Sequence, residues 1–183
     1  MPKVLCILAH PHMEKSRVNR ALWSKLRELA IADPEGFTLV DLNSEYPYFD
    51  IDVPLEQQRL LAHEHIFFLH PIYWYSMPPL LKPWMDEVLE IGFAYGSGGT
   101  KLKGKNYHLA VTLGGPEVAY GPEGYNRFTL EQLLTPQEQT AHLCGMKWHK
   151  ALRLHGSLQA SEAAIEEYIH SVTSELLRAR GSL

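Results

Sequence analysis

Cysteine is scarce in this chain of 183 residues: Cys6 and Cys144 are the only two. Two cysteines cannot make the multi-bridge framework that holds small secreted domains together. Cys6 lies inside an apolar run and Cys144 near an expected helix end, so both read as small buried hydrophobes, which suits a reducing cytoplasm. Long apolar runs are missing too. No stretch approaches the roughly eighteen residues of a membrane-spanning helix, and the run after Lys3 is too short for a signal peptide. Nor is there a basic surplus. Lys and Arg number 17 against 21 for Asp and Glu, a net charge of -4, and no basic stripe is concentrated anywhere, which argues against nucleic acid as a partner. What the chain does have is apolar bulk, at 45% hydrophobic residues. A chain this long buries roughly 70% of its unfolded surface, so it is expected to fold as one domain over residues 1–183 without disulfide or structural metal.

Short apolar runs alternate with helical periodicities. Residues 3–9 (KVLCILA) read as a buried strand ended by His10-Pro11. Val18, Ala21, Leu22, Leu26, Leu29 and Ala30 then repeat at three and four behind Ser16, an N-cap, and Pro34 and Gly36 close that helix. Residues 37–42 predict a second strand, 46–52 a loop, and 54–63 a short helix. Residues 65–70 (HIFFLH) are a third strand ended by Pro71, followed by the helical face of Leu80, Leu81, Trp84, Met85, Val88 and Leu89. A fourth strand over 107–113 ends at Gly114-Gly115-Pro116. Thr135-Pro136-Gln137-Glu138 has capping-box spacing with proline at the first helical position, and Gly145 is a C-cap. A fifth strand falls near 148–155. The last helix carries Ile165, Tyr168, Ile169, Val172 and Leu176, with Arg178 and Arg180 where they suit its dipole. Five strands alternating with about five helices predict an α/β fold with a doubly wound parallel sheet.

In such sheets ligands bind beyond the carboxyl ends of the strands. Function is therefore expected in three loops, residues 10–16, 71–79 and 112–125. The first leads into a helix start at Ser16, Arg17, Val18 and Asn19, where free amides and the helix dipole favour a phosphate, with His10, Arg17 and Asn19 as further donors. Neither GxxxxGK[ST] nor GxGxxG follows the first strand, so a triphosphate loop and a standard dinucleotide fingerprint are disfavoured. The second loop presents Ile72, Tyr73, Trp74, Tyr75 and Ser76, three aromatic rings that something flat should cover. The third offers Gly114 and Gly115 for close backbone approach, then Tyr120 and Tyr125 as hydroxyl donors. Together the loops fit a flavin mononucleotide. A helix N-terminus contributes about 0.3–2 kcal/mol to anion binding, against about 8 kcal/mol for micromolar affinity, so ring contacts must supply much of the rest.

The segments Ala9-His10-Pro11, Ser16-Arg17-Val18-Asn19, HPIYWYSMPPLLK at 70–82, GFAYG at 92–96 and TLGG at 112–115 resemble the flavodoxin-like NAD(P)H:quinone oxidoreductase family. The subgroup resembled is the compact bacterial ancillary oxidoreductases of glutathione-gated potassium-efflux systems. The resemblance implies a flavodoxin-like sandwich with a five-stranded parallel sheet in the order 2-1-3-4-5. It implies bound FMN, with contacts from His10, Ser16, Arg17, Val18, Asn19, Pro71, Ile72, Tyr73, Trp74, Tyr75, Thr112, Leu113, Gly114, Gly115 and Tyr120. NADH or NADPH would be the reductant in a ping-pong transfer to a quinone or another flat two-electron acceptor, and Tyr120 the catalytic side chain. A homodimer is implied as well, in the cytoplasm or peripherally at the cytoplasmic face of the inner membrane, where a potassium-efflux antiporter would be the partner. Longer relatives place a tyrosine and a histidine after the double glycine. Tyr120 matches the tyrosine, but Asn126 stands at the histidine position, which puts a relay through that histidine in doubt.

A regulatory antiporter subunit without catalysis and a one-electron flavodoxin-type carrier are the competing readings, and a net charge of -4 lacks the strong acidity of the carrier. His10-Pro11-His12 and His63-Glu64-His65 lack the carboxylate or thiol companions of a metal site, so no metal is expected and these histidines read as solvated or capping. Lys101, Lys103 and Lys105 read as a solvated turn, and Glu162, Glu166 and Glu167 as the wet side of the last helix.

Overall fold

The computed structural model describes residues 1–181. Its centre is strand β1 (Val4–Leu8), every residue of which is buried. β1 pairs in parallel with β2 (Phe37–Asp41) on one side and β3 (His65–Pro71) on the other, and β3 pairs with β4 (Asn106–Thr112). The order is β2-β1-β3-β4-β5, with a sixth strand beside β4. Strand alternation sends Leu5 and Ile7 to one face and Val4, Cys6 and Leu8 to the other. The first face packs on α3 (Val53–Ala62), α4 (Leu81–Val88) and α5 (Leu130–Leu143), and the second on α1 (Arg17–Ala32) and α6 (Glu162–Arg180). Helices therefore cover both faces, as the alternation of patterns requires.

The fifth strand departs from expectation. It divides into β5 (Lys147–Trp148) and β6 (Leu152–Leu154), both parallel to β4. Trp148 faces Tyr107 and Leu152 faces Ala110, so His149, Lys150 and Ala151 lie opposite only His108 and Leu109. One extra residue breaks the ladder, as a bulge does. A single helical turn, α2 (Leu42–Glu45), follows β2 where no helix was expected.

Helix α5 also begins earlier than expected. Thr129, not Thr135, is its N-cap: the Thr129 hydroxyl accepts from the Gln132 amide at 3.2 Å and the Gln132 side chain accepts from the Thr129 amide at 2.9 Å. Two threonines with capping spacing stand six residues apart, and the earlier one lets the helix bury Leu130 and Leu134. Pro136 then lies inside the helix, where it withholds one amide. At the other end Gly145 takes φ +68° just past the cap residue Cys144.

Several polar residues expected at the wet surface are buried or bonded. His63 is a capping histidine, one of the two expected readings: it is the C-cap of α3, buried between the Arg59 carbonyl at 2.6 Å and the Thr38 hydroxyl at 2.8 Å. His65 Nδ1 meets His108 Nε2 at 3.0 Å. Lys105 donates to the carbonyls of Leu61 and His63, closing the end of α3. Arg180 is buried against Asp33, the C-cap of α1, at 2.7 Å, and ties the two helices of one face together. Glu162, Glu166 and Glu167 are exposed, as expected. Both cysteines are buried, and burial pushes both thiols above their ordinary value.

Candidate functional site at the carboxyl edge of the sheet

A cavity of about 410 Å³ opens where β1, β3 and β4 end and α1 begins. Ser16 shapes its floor: its hydroxyl caps α1 by accepting from the Asn19 amide at 3.2 Å. Asn19 is buried, and its side-chain nitrogen donates to Ser16 at 3.2 Å and to the Thr112 hydroxyl at 3.1 Å. The helix start and the end of β4 are thus tied through one amide. The Asn19 Oδ1 is buried without a partner among the described residues. His10 is buried as well, its Nδ1 accepting the His12 amide at 3.1 Å. The neutral ring therefore carries its proton on Nε2, and burial followed by the neighbouring His12 keeps its pKa below the ordinary histidine value.

Nine of the expected site residues meet in this cavity: His10, Ser16, Arg17, Val18, Asn19, Pro71, Tyr73, Thr112 and Gly114. Arg17 is committed elsewhere at its tip. Its guanidinium donates to the Ala160 carbonyl and pairs with Glu162 at 3.3 Å, so towards an anion it offers chiefly its backbone amide. The remaining expected residues flank the cavity. The Leu113 side chain is in the core, which leaves only its backbone to the site. Ile72 is half-buried and fastened by its amide to the Thr112 carbonyl at 2.8 Å. Gly115 lies under Tyr120 and Tyr125: a Cβ built there would meet their hydroxyl oxygens at 3.3 and 3.2 Å.

Trp74 and Tyr75 sit at the tip of a two-residue turn whose flanking residues exchange backbone bonds, Tyr73 amide to Ser76 carbonyl at 2.9 Å and the reverse at 3.0 Å. Both tip residues have positive φ, 46° and 66°. Asn-Gly is the usual occupant of such a turn, and a bulky residue in this region costs on the order of 1–2 kcal/mol. The strain is accompanied by exposure, Trp74 being 88% and Tyr75 48% exposed. Strained backbone carrying uncovered rings beside a cavity is a mark of a binding loop. Tyr75 also donates to the Asn126 side-chain oxygen at 3.2 Å, linking the second loop to the third.

Sequence reasoning missed four lining residues: His12, Lys15, Ser157 and Leu158. His12 and Lys15 belong to the loop already singled out. Ser157 and Leu158 arrive from the segment after β6, where the Ser157 amide bonds the Leu113 carbonyl at 2.8 Å, a pairing no local pattern reveals. The cavity is suited to an elongated anion with a planar part. It combines the free amides of Arg17 and Val18 at a helix start, a cationic Lys15, the His10 imidazole and an adjoining aromatic ledge. These residues fit a flavin mononucleotide, its phosphate at the helix start and its planar ring along the ledge of Tyr73, Trp74 and Tyr75.

The histidines elsewhere do not make a comparable centre. His108, His149 and Glu175 place ligand atoms within 4.8 Å of one another. The two rings, however, are stacked at 4.0 Å and only 14° from parallel. An ion must lie near the plane of each imidazole it binds, so these two cannot share one as they stand.

A family model described as a flavodoxin-like fold matches residues 2–176. The uncharacterized NAD(P)H oxidoreductase YdeQ of Bacillus subtilis is 41% identical over 176 residues, covering 94% of this chain and 87% of that protein. The glutathione-regulated potassium-efflux system ancillary protein KefG of Pectobacterium carotovorum is 43% identical over 181 residues, covering 95% of this chain and 96% of its own. Among solved structures, general stress protein 14 of Treponema denticola, in complex with FMN, is similar with a TM-score of 0.85 at 37% identity over 100% of both chains. No described helix is long and apolar enough to cross a membrane. With its strand order, its site at the carboxyl edge and these relatives, the chain belongs to the flavodoxin-like family.

Proposed function

We propose that the chain works as one flavodoxin-like domain over residues 1–183 and is an FMN-dependent NAD(P)H oxidoreductase acting on a quinone or another flat two-electron acceptor. The observation that carries this reading is a single cavity at the carboxyl edge of the sheet that joins a helix start and the His10 imidazole to a strained, exposed aromatic ledge. The FMN-bound neighbour and the relatives named for NAD(P)H oxidation support the cofactor and the reductant. When bound, FMN supplies the two-electron chemistry between reductant and acceptor. The chain's residues bind and orient. The free amides of Arg17 and Val18, with His10 Nε2–H, hold the phosphate end. The Ser16 amide is taken by the Met13 carbonyl and the Asn19 amide by the Ser16 hydroxyl, so those two residues shape the site, and Asn19 also braces Thr112 beside it. Backbone from Pro71 to Tyr75 and from Thr112 to Gly115 lines the ring. The amides of Gly114 and Gly115 and the Tyr120 hydroxyl meet negative charge at its polar edge, and Tyr120 is the catalytic side chain. Burial first, then Tyr125 and Tyr75, hold the Tyr120 phenol above its ordinary value, so it stays a proton donor at neutral pH. Trp74 and Tyr75 form the platform on which reductant and acceptor take turns.

The exposed side chains of Trp74, Tyr125 and Leu158 support a homodimer closed over the site. Similarity to an ancillary potassium-efflux protein over nearly both full lengths supports a cytoplasmic protein that docks peripherally on a membrane antiporter. An absorption spectrum of purified protein, with FMN added to colourless material, followed by NADH and NADPH titration with and without a quinone, tests the principal reading. Bound FMN and acceptor-dependent turnover are expected. Folded protein that refuses FMN overturns it.

A further inference from the structure

We propose that His155 is a positioning residue of this site: its imidazole, seated against the Tyr120 ring, tunes how the Tyr120–Gly115 corner receives negative charge. The inference rests on the oxidoreductase reading, yet its contacts stand without it. His155 follows β6 and reaches Tyr120 only because Leu154 pairs with Thr112. Hydrogen bonds fix it from both sides. The Leu113 amide bonds the Leu154 carbonyl at 2.9 Å, the Gly156 amide bonds the Gly115 carbonyl at 2.9 Å, and the Ser157 amide bonds the Leu113 carbonyl at 2.8 Å. The segment carrying His155 is therefore fastened to the double-glycine loop and cannot slide along it.

The imidazole and the Tyr120 ring lie 5.1 Å apart between centroids, inclined at 58°. The His155 Nδ1 is buried with no partner among the described residues. A ring retained only for packing would be served by phenylalanine or leucine, which carry no polar atom to leave unpaired. The groups acting on the imidazole come from every neighbouring element. Burial lowers its pKa and Arg153 of β6 adds to that, while Glu117 before Tyr120, the Gly115 backbone and Glu131 of α5 oppose it. His155 is thus neutral at pH 7 and takes up its proton below the ordinary histidine range. Its cation would then stand beside the phenol and amide that face the developing charge, and would favour the step that brings that charge in.

Full-length His155→Phe and His155→Gln keep the size of the ring or its polarity while abolishing titration. FMN affinity in both is expected within about threefold of wild type, since neither change touches the phosphate end. Single-turnover reduction by NADH is expected to accelerate in wild type as pH falls through the His155 titration followed by NMR, and to be flat over the same range in both variants. In apoprotein, Tyr120→Phe is expected to move the imidazole pKa of His155, followed by NMR, by about 0.3 or more. Wild-type pH dependence surviving in both variants overturns the inference, as does a loss of FMN affinity of about a hundredfold, which would make His155 a cofactor-holding residue. Should wild-type protein bind no FMN, the oxidoreductase reading falls by itself. The NMR titration then decides: a moved pKa supports the coupling, and an unmoved one ends it.

Discussion

The Tyr75 hydroxyl donates to Asn126 Oδ1 at 3.2 Å, and this one bond joins the aromatic turn to the loop that carries Tyr120. Asn126 occupies the position at which longer relatives are expected to hold a histidine, and here its side-chain oxygen accepts the bond that holds the two loops together. Asn126→Ala should raise the acceptor KM by about twofold to tenfold, the worth of an exposed hydrogen bond, with kcat within about twofold. Steady-state kinetics at saturating NAD(P)H check this. An unchanged KM would remove the tether from binding.

The turn itself holds two bulky residues at positive φ. Replacing Trp74 by Asn and Tyr75 by Gly should stabilise the apoprotein by about 1–2 kcal/mol, because Asn-Gly takes that backbone without strain. The same double variant should lose affinity for flat acceptors. A urea titration and an acceptor KM together show whether strain is held there for binding.

Ser16 and Asn19 act on both folding and binding. Ser16→Ala should cost about 1 kcal/mol of stability through the lost cap. Asn19→Ala should weaken FMN by about tenfold or more, since the Ser16–Asn19–Thr112 chain loses its centre. FMN fluorescence quenching reads the second effect, and equal affinity in wild type and Asn19→Ala would contradict the placement of the cofactor.

Tyr120→Phe should lower turnover modestly, by about threefold to thirtyfold, while FMN is retained. The phenol is one of several groups at the ring's polar edge, so removing it leaves the others in place. Complete loss of flavin in this variant would reassign Tyr120 from chemistry to binding.

Acid should destabilise the fold through His108. The ring lies flat on Phe67 at 4.0 Å, and burial, then His149 and His65, push its pKa down to about 2. A histidine depressed in this way stabilises the native state above its unfolded value near 6.5, and the contribution is lost as pH falls below that point. The slope is about 1.4 kcal/mol per pH unit for one proton. Between pH 7 and 5, wild type should therefore lose about 1–2 kcal/mol more than His108→Phe. Urea unfolding at the two pH values checks it, and parallel losses would show that His108 titrates freely.

Much of the fold was legible because its signals are local. A strand that ends at His-Pro, a serine before a three-four apolar repeat, and a double glycine after a β run each act within a few residues. Ser16, Asn19, Pro71 and Thr112 were found in this way, and parallel pairing brings them together. What escaped was decided across the chain. The two threonine caps of α5 are equivalent in sequence, and only the burial of Leu130 and Leu134 chooses Thr129. His63 is a helix cap, as its reading allowed, but its bond to Thr38 and the pairing of His65 with His108 are made across the sheet. Ser157 enters the cavity, and His155 comes against Tyr120, through the edge of β4, a contact that no periodicity encodes.

The interrupted edge opposite β4 has a bearing on solubility in a crowded cell. An unbroken strand there would present a continuous row of free amides and carbonyls to any passing chain. With Lys150 exposed in the break and one residue too many between the two short strands, that border offers no template longer than three residues. The strand that resumes after the break leads directly to Ser157 and Leu158 in the cavity wall, so the border that resists growth into fibrils also delivers part of the cleft.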